Sequence, residues 1–387
     1  MSRRRGGLAF LALLAIAANL RAPLTSVPPL VDQISGALGL SGFAAGALTS
    51  VPLVCMGLLS PLAPRLAARY GVDRSIGIGI VLIAVGTAGR ALGGAVGLYT
   101  GTFLLGTGIA ITGALVPAAV RRTAPGNVAG AMSLANAVTM SMAALAAATV
   151  APLAGHLTWP AALAVWALPA AIASFVWAPR MSAAPPARAS TPAGLPWRSG
   201  TAWLITGYLT ANSLMFYCVL AWLPAVYLDL GWTPTAAGVA LGVFSAWQLV
   251  IALGLSALLP RWHTDRRPLY VIAAGLSGVG MLGVVLVPEV AAWVVIALAG
   301  VGLGGGFTLG LVQLAIHVHS TADSARLSAM AFLVSFLAAA VGPALAGLLR
   351  DATGTFTPSF LILVGLAAIQ VLIGTRLRPE RRVGLDT

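Results

Sequence analysis

Long apolar segments dominate the chain, and short joints rich in polar residues, Pro or Gly separate them. A bilayer core of about 30 Å is crossed by about 20 helical residues at about 1.5 Å each, and the segments have this length. We therefore predict an all-α membrane protein with twelve membrane-spanning helices. Their predicted limits are residues 6–31, 42–64, 73–93, 97–120, 127–155, 159–179, 201–228, 235–260, 268–288, 291–317, 325–349 and 357–377.

The first apolar segment needs a separate argument because it resembles a secretory signal. Three arginines, Arg3 to Arg5, precede the apolar stretch, and small residues before Ala18 resemble a cleavage site. The apolar character continues beyond this point, and many segments of the same kind follow. We interpret the segment as the first span, and we expect Pro23 to end its helix.

A polar stretch in the middle of the chain divides the spans into two sets of six. Residues 180–200, RMSAAPPARASTPAGLPWRSG, have the Pro, Ala and Ser content of an extended linker. We predict an N-terminal six-helix bundle at 1–180, a cytoplasmic linker at 181–200 and a C-terminal six-helix bundle at 201–387. Two short motifs recur at matching places: SPLAPR at 60–65 with SALLPR at 256–261, and LLGTGIA at 104–110 with LAGVGLG at 298–304.

The composition supports a membrane protein, since 59% of the 387 residues are hydrophobic and 8% are charged. The net charge of +13 comes from arginines in short loops and not from one polar face, so we expect no nucleic-acid binding. These loops lie mainly on the side of the N-terminus, which predicts that both termini are cytoplasmic. We expect a monomer in the cell membrane, with the lipid bilayer as its surroundings.

Four longer motifs resemble the cyanate and nitroimidazole transporter branch of the major facilitator superfamily. The resemblance implies a transporter that works by alternating access, with a substrate site between the halves lined by the first, fourth, seventh and tenth spans. The motifs are ANLRAPLTSVPPL (18–30), SPLAPRLAARYG (60–71), ANSLMFYCVLAWLPAVYLDLGWTPTAAG (211–238) and ARLSAMAFLVSFLAAAVGPALAGLLRDATGTFTP (325–358).

By this resemblance, polar and aromatic residues of the lining spans are the candidate substrate-binding residues. They are Asn19, Arg21, Thr25, Asn212, Phe216, Tyr217, Trp222 and Gln313. The aromatic residues have an alternative role in packing or at the membrane interface.

A second group of residues is expected to act in gating. Pro64 and Arg65 stand where the superfamily usually has Asp and Arg, so Asp73 is the candidate to complete an ionic latch. Gly304, Gly305 and Gly306 either pack helices closely or allow the tenth span to bend. Arg90, at the outer end of the third span, is expected to reach toward the lipid headgroups.

Arg21 is the most informative residue, because a guanidinium stays charged and its burial in hydrocarbon is costly. No acidic residue lies inside the core of a predicted span. We expect a substrate anion to compensate the charge, although an Arg21 that extends to the outer headgroups is the alternative.

The leading hypothesis is secondary active or facilitative transport of a small anionic or polar solute, such as a cyanate-like anion. Efflux of a drug or metabolite is the first alternative, and an integral-membrane enzyme or sensor is the remote one, because no catalytic motif occurs. No cofactor or metal is expected, since Cys55 and Cys218 lack ligand spacing. H+ is a candidate coupling ion, and the solute and direction stay open.

Overall fold

A computed structural model of the protein describes residues 2–59, 62–92, 94–124, 128–181, 195–259, 265–317 and 321–377. Every regular element in these ranges is helical. The helices are α1 (Ser2–Ala17), α2 (Ala22–Thr25), a 3-10 helix (Pro28–Leu30), α3 (Val31–Leu38), α4 (Gly42–Leu59), α5 (Leu62–Tyr70), α6 (Val72–Gly89), α7 (Gly94–Thr123), α8 (Val128–His156), α9 (Trp159–Val165), α10 (Ala167–Met181), α11 (Gly200–Asp229), α12 (Pro234–Leu258), α13 (Arg267–Leu286), α14 (Ala292–Ile316), α15 (Thr321–Thr353) and α16 (Thr357–Arg376).

Twelve segments of these helices are long and apolar enough to cross a membrane, which confirms the predicted fold class. All but one of the limits differ by five residues or fewer from the predicted ones. The exception is the first span, which runs from Ala9 to Leu38 and not to residue 31. Its prolines change the type of helix without ending the span, and Gly39 ends it with a left-handed φ of 63°.

The chain divides into two compact units. Unit 1 comprises Met1–Leu40, Val51–Thr191 and Thr233–Gly242, and unit 2 comprises Ser41–Ser50, Pro192–Trp232 and Val243–Thr387. The core of unit 1 includes Leu13, Ile80, Leu105 and Trp177, and that of unit 2 includes Ile205, Tyr208, Tyr270, Leu309 and Leu327. The domain limits at 180 and 201 stay a prediction, because residues 182–194 of the linker lie outside the described ranges.

One of the repeated motifs has the same packing in both units. A Cβ on Gly106 of α7 would lie 2.8 Å from the Cα of Pro52 in α4. Its counterpart in the motif, Gly300 of α14, would meet the carbonyl oxygen of Phe244 in α12 at 2.7 Å. In each unit the fourth span therefore approaches the second span through a glycine at the same motif position.

The second glycine of the motif faces the third span of its own half. A Cβ on Gly108 would lie 2.9 Å from the amide nitrogen of Ile83 in α6. A Cβ on Gly302 would lie 2.8 Å from the carbonyl oxygen of Ala273 in α13. Such equivalent close approaches are what an internal repeat predicts, whereas SPLAPR and SALLPR lie partly outside the described residues.

Candidate functional site

The first span is broken near its middle. Helix α1 ends at Ala17, residues 18–21 form turns, and the four-residue α2 precedes the 3-10 helix that leads into α3. The expectation that Pro23 ends the first helix is wrong, because α1 stops six residues earlier. Pro23, Pro28 and Pro29 lack N–H donors, so this stretch contains carbonyl groups that need other partners in a membrane.

Polar side chains provide hydrogen bonds to carbonyl groups of the broken stretch and join it to α8. Thr139 Oγ1 of α8 lies 2.9 Å from the carbonyl of Ala17 and also 2.9 Å from the carbonyl of Ala135 in its own helix, so the two acceptors share its one hydroxyl proton. In return, Thr25 Oγ1 donates to the carbonyl of Ala143 in α8 at 2.9 Å. Asn19 is buried, and its Nδ2 donates to the carbonyl of Ala15 at 2.7 Å. Of the predicted site residues, Asn19 and Thr25 thus hold the backbone of the break.

Arg21 lies within the break and is partly exposed. Its Nη1 is 3.7 Å from the sulfur of Met140, which is the thirteenth of the 29 residues of α8. The guanidinium therefore lies beside the middle of α8 and not beside its end at His156. Binding of a solute by Arg21 stays a prediction.

The charge of Arg21 was expected to have no acidic residue near it inside a span, so the positions of the acidic residues near the span ends matter. Asp32 follows the predicted end of the first span at residue 31, but the structure places it six residues before the end of that span at Leu38, and the residue is exposed. Asp73 is in the first turn of α6, Asp229 is the last residue of α11, and Asp351 is near the end of α15.

Arg90 does not extend to the headgroups as predicted. The residue is only 1% exposed, its Nη1 donates to the carbonyl of Pro23 at 2.5 Å, and its Nε donates to Thr102 Oγ1 at 3.2 Å. The expectation was wrong because α6 ends beside the break in the first span, where Pro23 presents its carbonyl. Sequence reasoning missed this contact, and the only available signal was an arginine at the end of an apolar helix.

In unit 2, Asn212 joins three helices. Its Nδ2 donates to the carbonyl of Leu303 in α14 at 3.2 Å, and its Oδ1 accepts a hydrogen bond from Gln370 Nε2 in α16 at 3.2 Å. A Cβ on Gly306 would collide with the same Oδ1. Asn212 therefore has partners within its unit, and its role toward a solute stays a prediction. Sequence reasoning missed Gln370, although it is an amide inside the apolar last span.

An aromatic cluster, formed by Phe216, Tyr217, Phe244 and Phe336, lies in unit 2. The ring centroids of Phe216 and Tyr217 are 4.7 Å apart with an edge-to-face tilt. Phe216 stacks on Phe244 of α12 at 6.1 Å, and Tyr217 meets Phe336 of α15 at 6.3 Å. Only the two α11 residues were predicted, because contacts between distant helices leave no local pattern in the sequence.

Trp222 is not part of the aromatic cluster. Its Nε1 donates to the carbonyl of Pro343 in α15 at 2.8 Å, and its ring lies 5.1 Å from that of Phe356. The buried indole thus connects α11 to α15, as the packing alternative predicts, and binding of a solute by Trp222 stays a prediction.

Gln313 and the glycines of α14 have different surroundings. Gln313 is fully buried, and both of its amide atoms lack a hydrogen-bond partner among the described residues. Each such group costs about 1–3 kcal/mol, so a bound solute or water would be favourable there.

The glycines of α14 lie close to α12. A Cβ on Gly304 would lie 2.7 Å from the Cα of Gln248, and one on Gly305 would lie 3.5 Å from Ile251. Because α14 continues through these glycines, their contacts agree with close packing, and bending stays a prediction.

The predicted latch residues do not pair with each other. Asp73 forms an ion pair with Arg122 Nη2 of α7 at 2.8 Å, and its backbone carbonyl accepts a hydrogen bond from Trp177 Nε1 at 2.8 Å. Arg65 is exposed. Asp73 therefore links three helices of unit 1, and gating by either residue stays a prediction.

Within the described ranges, no group of three His, Cys, Asp or Glu residues could hold a metal ion, and both cysteines are free and buried.

Comparison with known proteins places these features in a family. The family model described as Major Facilitator Superfamily matches residues 8–323 and 210–386. The 2-nitroimidazole transporter of Escherichia coli (strain K12) is 35% identical over 93% of this chain and 92% of its own length. The cyanate transport protein CynX of the same organism is 32% identical over 96% of this chain and 97% of its own length.

Solved structures share the fold. A D-xylose-proton symporter superposes with a TM-score of 0.77 over 97% of both chains, at 17% sequence identity. A bacterial homolog of the human lysosomal transporter Spinster, in an inward-facing and occupied conformation, gives a TM-score of 0.78 at 13% identity, over 97% of this chain and 98% of its own. At these identities the likeness concerns the fold alone.

Proposed function

The chain belongs to the major facilitator superfamily and is a multi-pass membrane transporter of small solutes, and on that premise we propose that its solute is a small anion bound by Arg21. The predicted transport function is confirmed by the relatives, which are transporters and not enzymes. The anionic nature of the solute, the coupling ion and the orientation of the termini belong to the proposal.

The position of Arg21 carries this proposal. Arg21 is partly exposed and lies in the unwound stretch 18–21, and its guanidinium contacts Met140 in the middle of α8. Irregular backbone at membrane depth is tolerated where it lines protein or a water-filled cavity. A planar guanidinium offers several N–H donors to an anion, and such charge-assisted bonds contribute about 1.5–3 kcal/mol each. Cyanate, which gives one relative its name, is a small anion of this kind.

The mechanism that we propose is alternating access in a monomer with both termini in the cytoplasm. Asn19 and Thr25 would keep the break in shape while Arg21 holds the anion. H+ is the proposed coupling ion, and an imposed pH gradient tests it directly.

A second candidate solute is a neutral heterocycle, and the aromatic cluster is the observation that favours it. Phe216 and Tyr217 present ring faces and edges within one cluster, which suits a flat apolar ring. A relative is named for 2-nitroimidazole. In this case, transport would depend on the cluster and not on Arg21.

Counterflow in proteoliposomes distinguishes the two candidates. Vesicles with purified protein are loaded with unlabelled solute, and uptake of labelled cyanate or labelled 2-nitroimidazole is followed with and without a pH gradient. The proposal expects cyanate counterflow whose half-saturation concentration Arg21→Gln raises and Arg198→Gln, a change of an exposed arginine, leaves unchanged. Counterflow of 2-nitroimidazole alone, unaffected by Arg21→Gln, would show that the solute is the neutral heterocycle and not the anion.

A further inference from the structure

Arg90 is a buried cation with neutral partners. None of the ion pairs among the described residues includes it, and its side chain donates to the carbonyl of Pro23 and the hydroxyl of Thr102. Its Nη2 is buried without a hydrogen-bond partner among these residues. Burial of an ion costs free energy that neutral dipoles repay only in part. A neutral amide could hold one carbonyl at a lower cost, so packing alone does not explain an arginine here.

The acceptor of Arg90 is the centre of a small hydrogen-bonded group. The carbonyl of Pro23 accepts from Arg90 Nη1 and also from Ser26 Oγ, at 3.1 Å. Thr102 Oγ1, which accepts from Arg90 Nε, itself donates to the carbonyl of Leu98 at 2.7 Å. Arg90 therefore connects the broken first span to α7 through two N–H groups of its planar guanidinium.

The same carbonyl belongs to the turn that carries Arg21. The carbonyl of Arg21 accepts from the amide nitrogens of Leu24 at 2.9 Å and Thr25 at 3.1 Å, and Pro23 lies inside this turn with a ring-restricted φ. Movement of the Pro23 carbonyl would thus rotate the turn and redirect the Arg21 side chain.

We propose that Arg90 is a positioning residue for solute binding: by holding the Pro23 carbonyl, it sets the direction in which Arg21 meets the transported anion. The inference rests on the proposed function of Arg21. It assigns to Arg90 a role that a structural contact alone would not have, namely coupling to the affinity for the anion.

A double-mutant cycle measures this coupling. The half-saturation concentration for cyanate uptake is determined in proteoliposomes for wild type, Arg90→Gln, Arg21→Gln and the double variant, at equal amounts of reconstituted protein. We expect Arg90→Gln to raise the half-saturation concentration about fivefold or more with Arg21 present, and by less than about twofold with Gln at position 21. An equal effect in both backgrounds would overturn the proposal.

Labelling at position 21 gives a readout that does not depend on the solute. With Cys55 and Cys218 replaced by Ala, Arg21→Cys is treated with a methanethiosulfonate reagent in detergent. We expect Arg90→Gln to change the labelling rate about threefold or more, and Ser26→Ala, which removes the weaker donor to Pro23, to change it less. Arg198→Gln is the control and should leave the rate unchanged. An unchanged rate in a folded Arg90→Gln protein would overturn the proposal.

The two experiments separate failure of the inference from failure of the proposed function. If Arg21→Gln takes up cyanate with wild-type affinity, the proposed function fails, and the labelling rate still decides whether Arg90 positions residue 21. If Arg90→Gln does not fold, Arg90→Lys keeps a charge that reaches Pro23 without the second arm. The labelling rate of the thiol at position 21 in the Arg90→Lys protein should lie between the rate with Arg at position 90 and the rate in denatured protein. A rate equal to that with Arg at position 90 would contradict the need for the planar guanidinium.

Discussion

Three arginines of unit 1 illustrate how a guanidinium is accommodated in a membrane bundle. Arg122 forms an ion pair with a carboxylate, Arg90 donates to a backbone carbonyl and a hydroxyl, and Arg21 contacts a thioether while staying partly exposed. These partners differ in strength, because carboxylates accept strongly and thioethers weakly. The three arginines therefore differ in their surroundings: Arg90 is buried, whereas Arg21 is partly exposed.

The contact between Asp73 and Arg122 leads to a prediction on stability. Asp73→Asn removes the charge from a largely buried carboxylate, so we expect a loss of about 1 kcal/mol, seen as a lower melting temperature of the purified protein. Asp229→Asn is the matched control, because its pair with Arg350 has a more exposed carboxylate and should contribute less. Equal melting temperatures for wild type and Asp73→Asn would show that the pair contributes nothing.

At the scale of residues, the sequence predicts which side chains are unusual but not where they point. Arg21 is recognisable as a charge inside an apolar run. The inward direction of Arg90 depends on the position of the Pro23 carbonyl, which is 67 residues away along the chain. The partners of Asn212 and the two distant members of the aromatic cluster depend on helix packing in the same way.

At the scale of elements, the first span differs most from a regular helix. It consists of two α-helices, a short helical turn and a 3-10 helix, and α8 holds it by bonds in both directions through Thr139 and Thr25. Apolar length predicted that the span exists, whereas the position of its break was missed. Proline restricts the residues around it, and the carbonyl of Ala17 at the end of α1 lies beside Thr139 of α8, a contact that the sequence pattern does not reveal.

Thr139 tests the connection between α8 and the break. Thr139→Val keeps the shape of the side chain but removes the donor to the carbonyl of Ala17, so we expect a loss of about 1 kcal/mol in stability. Thr149→Val is the matched control on the same helix, because both hydroxyls contact the carbonyl four residues earlier in α8 and only that of Thr139 also contacts Ala17. Thermal unfolding of both variants in one detergent compares them, and equal shifts would refute the role of Thr139.

At the scale of the whole molecule, the arginines in loops are the sequence signal for the orientation of the chain, and the paired motifs are the signal for its internal repeat. The glycines of LLGTGIA and LAGVGLG have equivalent neighbours in their own units, so a repeat visible in the sequence corresponds to repeated packing. Twelve spans follow from apolar length alone. The solute does not follow from such patterns, because it depends on a few side chains whose directions tertiary contacts set.

The orientation of the chain is open to direct measurement. Gly155→Cys and Gly200→Cys place a thiol at exposed positions where a Cβ meets nothing within 4 Å, in a background with Ala at positions 55 and 218. We expect an impermeant maleimide to label the Gly155→Cys variant in intact cells and the Gly200→Cys variant only after permeabilisation, since the arginine-rich loops should be cytoplasmic. The opposite pattern would invert the proposed topology.

The measurement that tests the central claim most directly is the half-saturation concentration of cyanate uptake for wild type and Arg21→Lys, at equal reconstituted protein. Lysine keeps the charge but lacks the planar fork that binds an anion through two bonds. We predict a rise of roughly tenfold to a hundredfold, the equivalent of about 1.5–3 kcal/mol for one lost charge-assisted contact. Uptake of cyanate by Arg21→Lys with the affinity of wild type would contradict the binding of the anion by the Arg21 guanidinium.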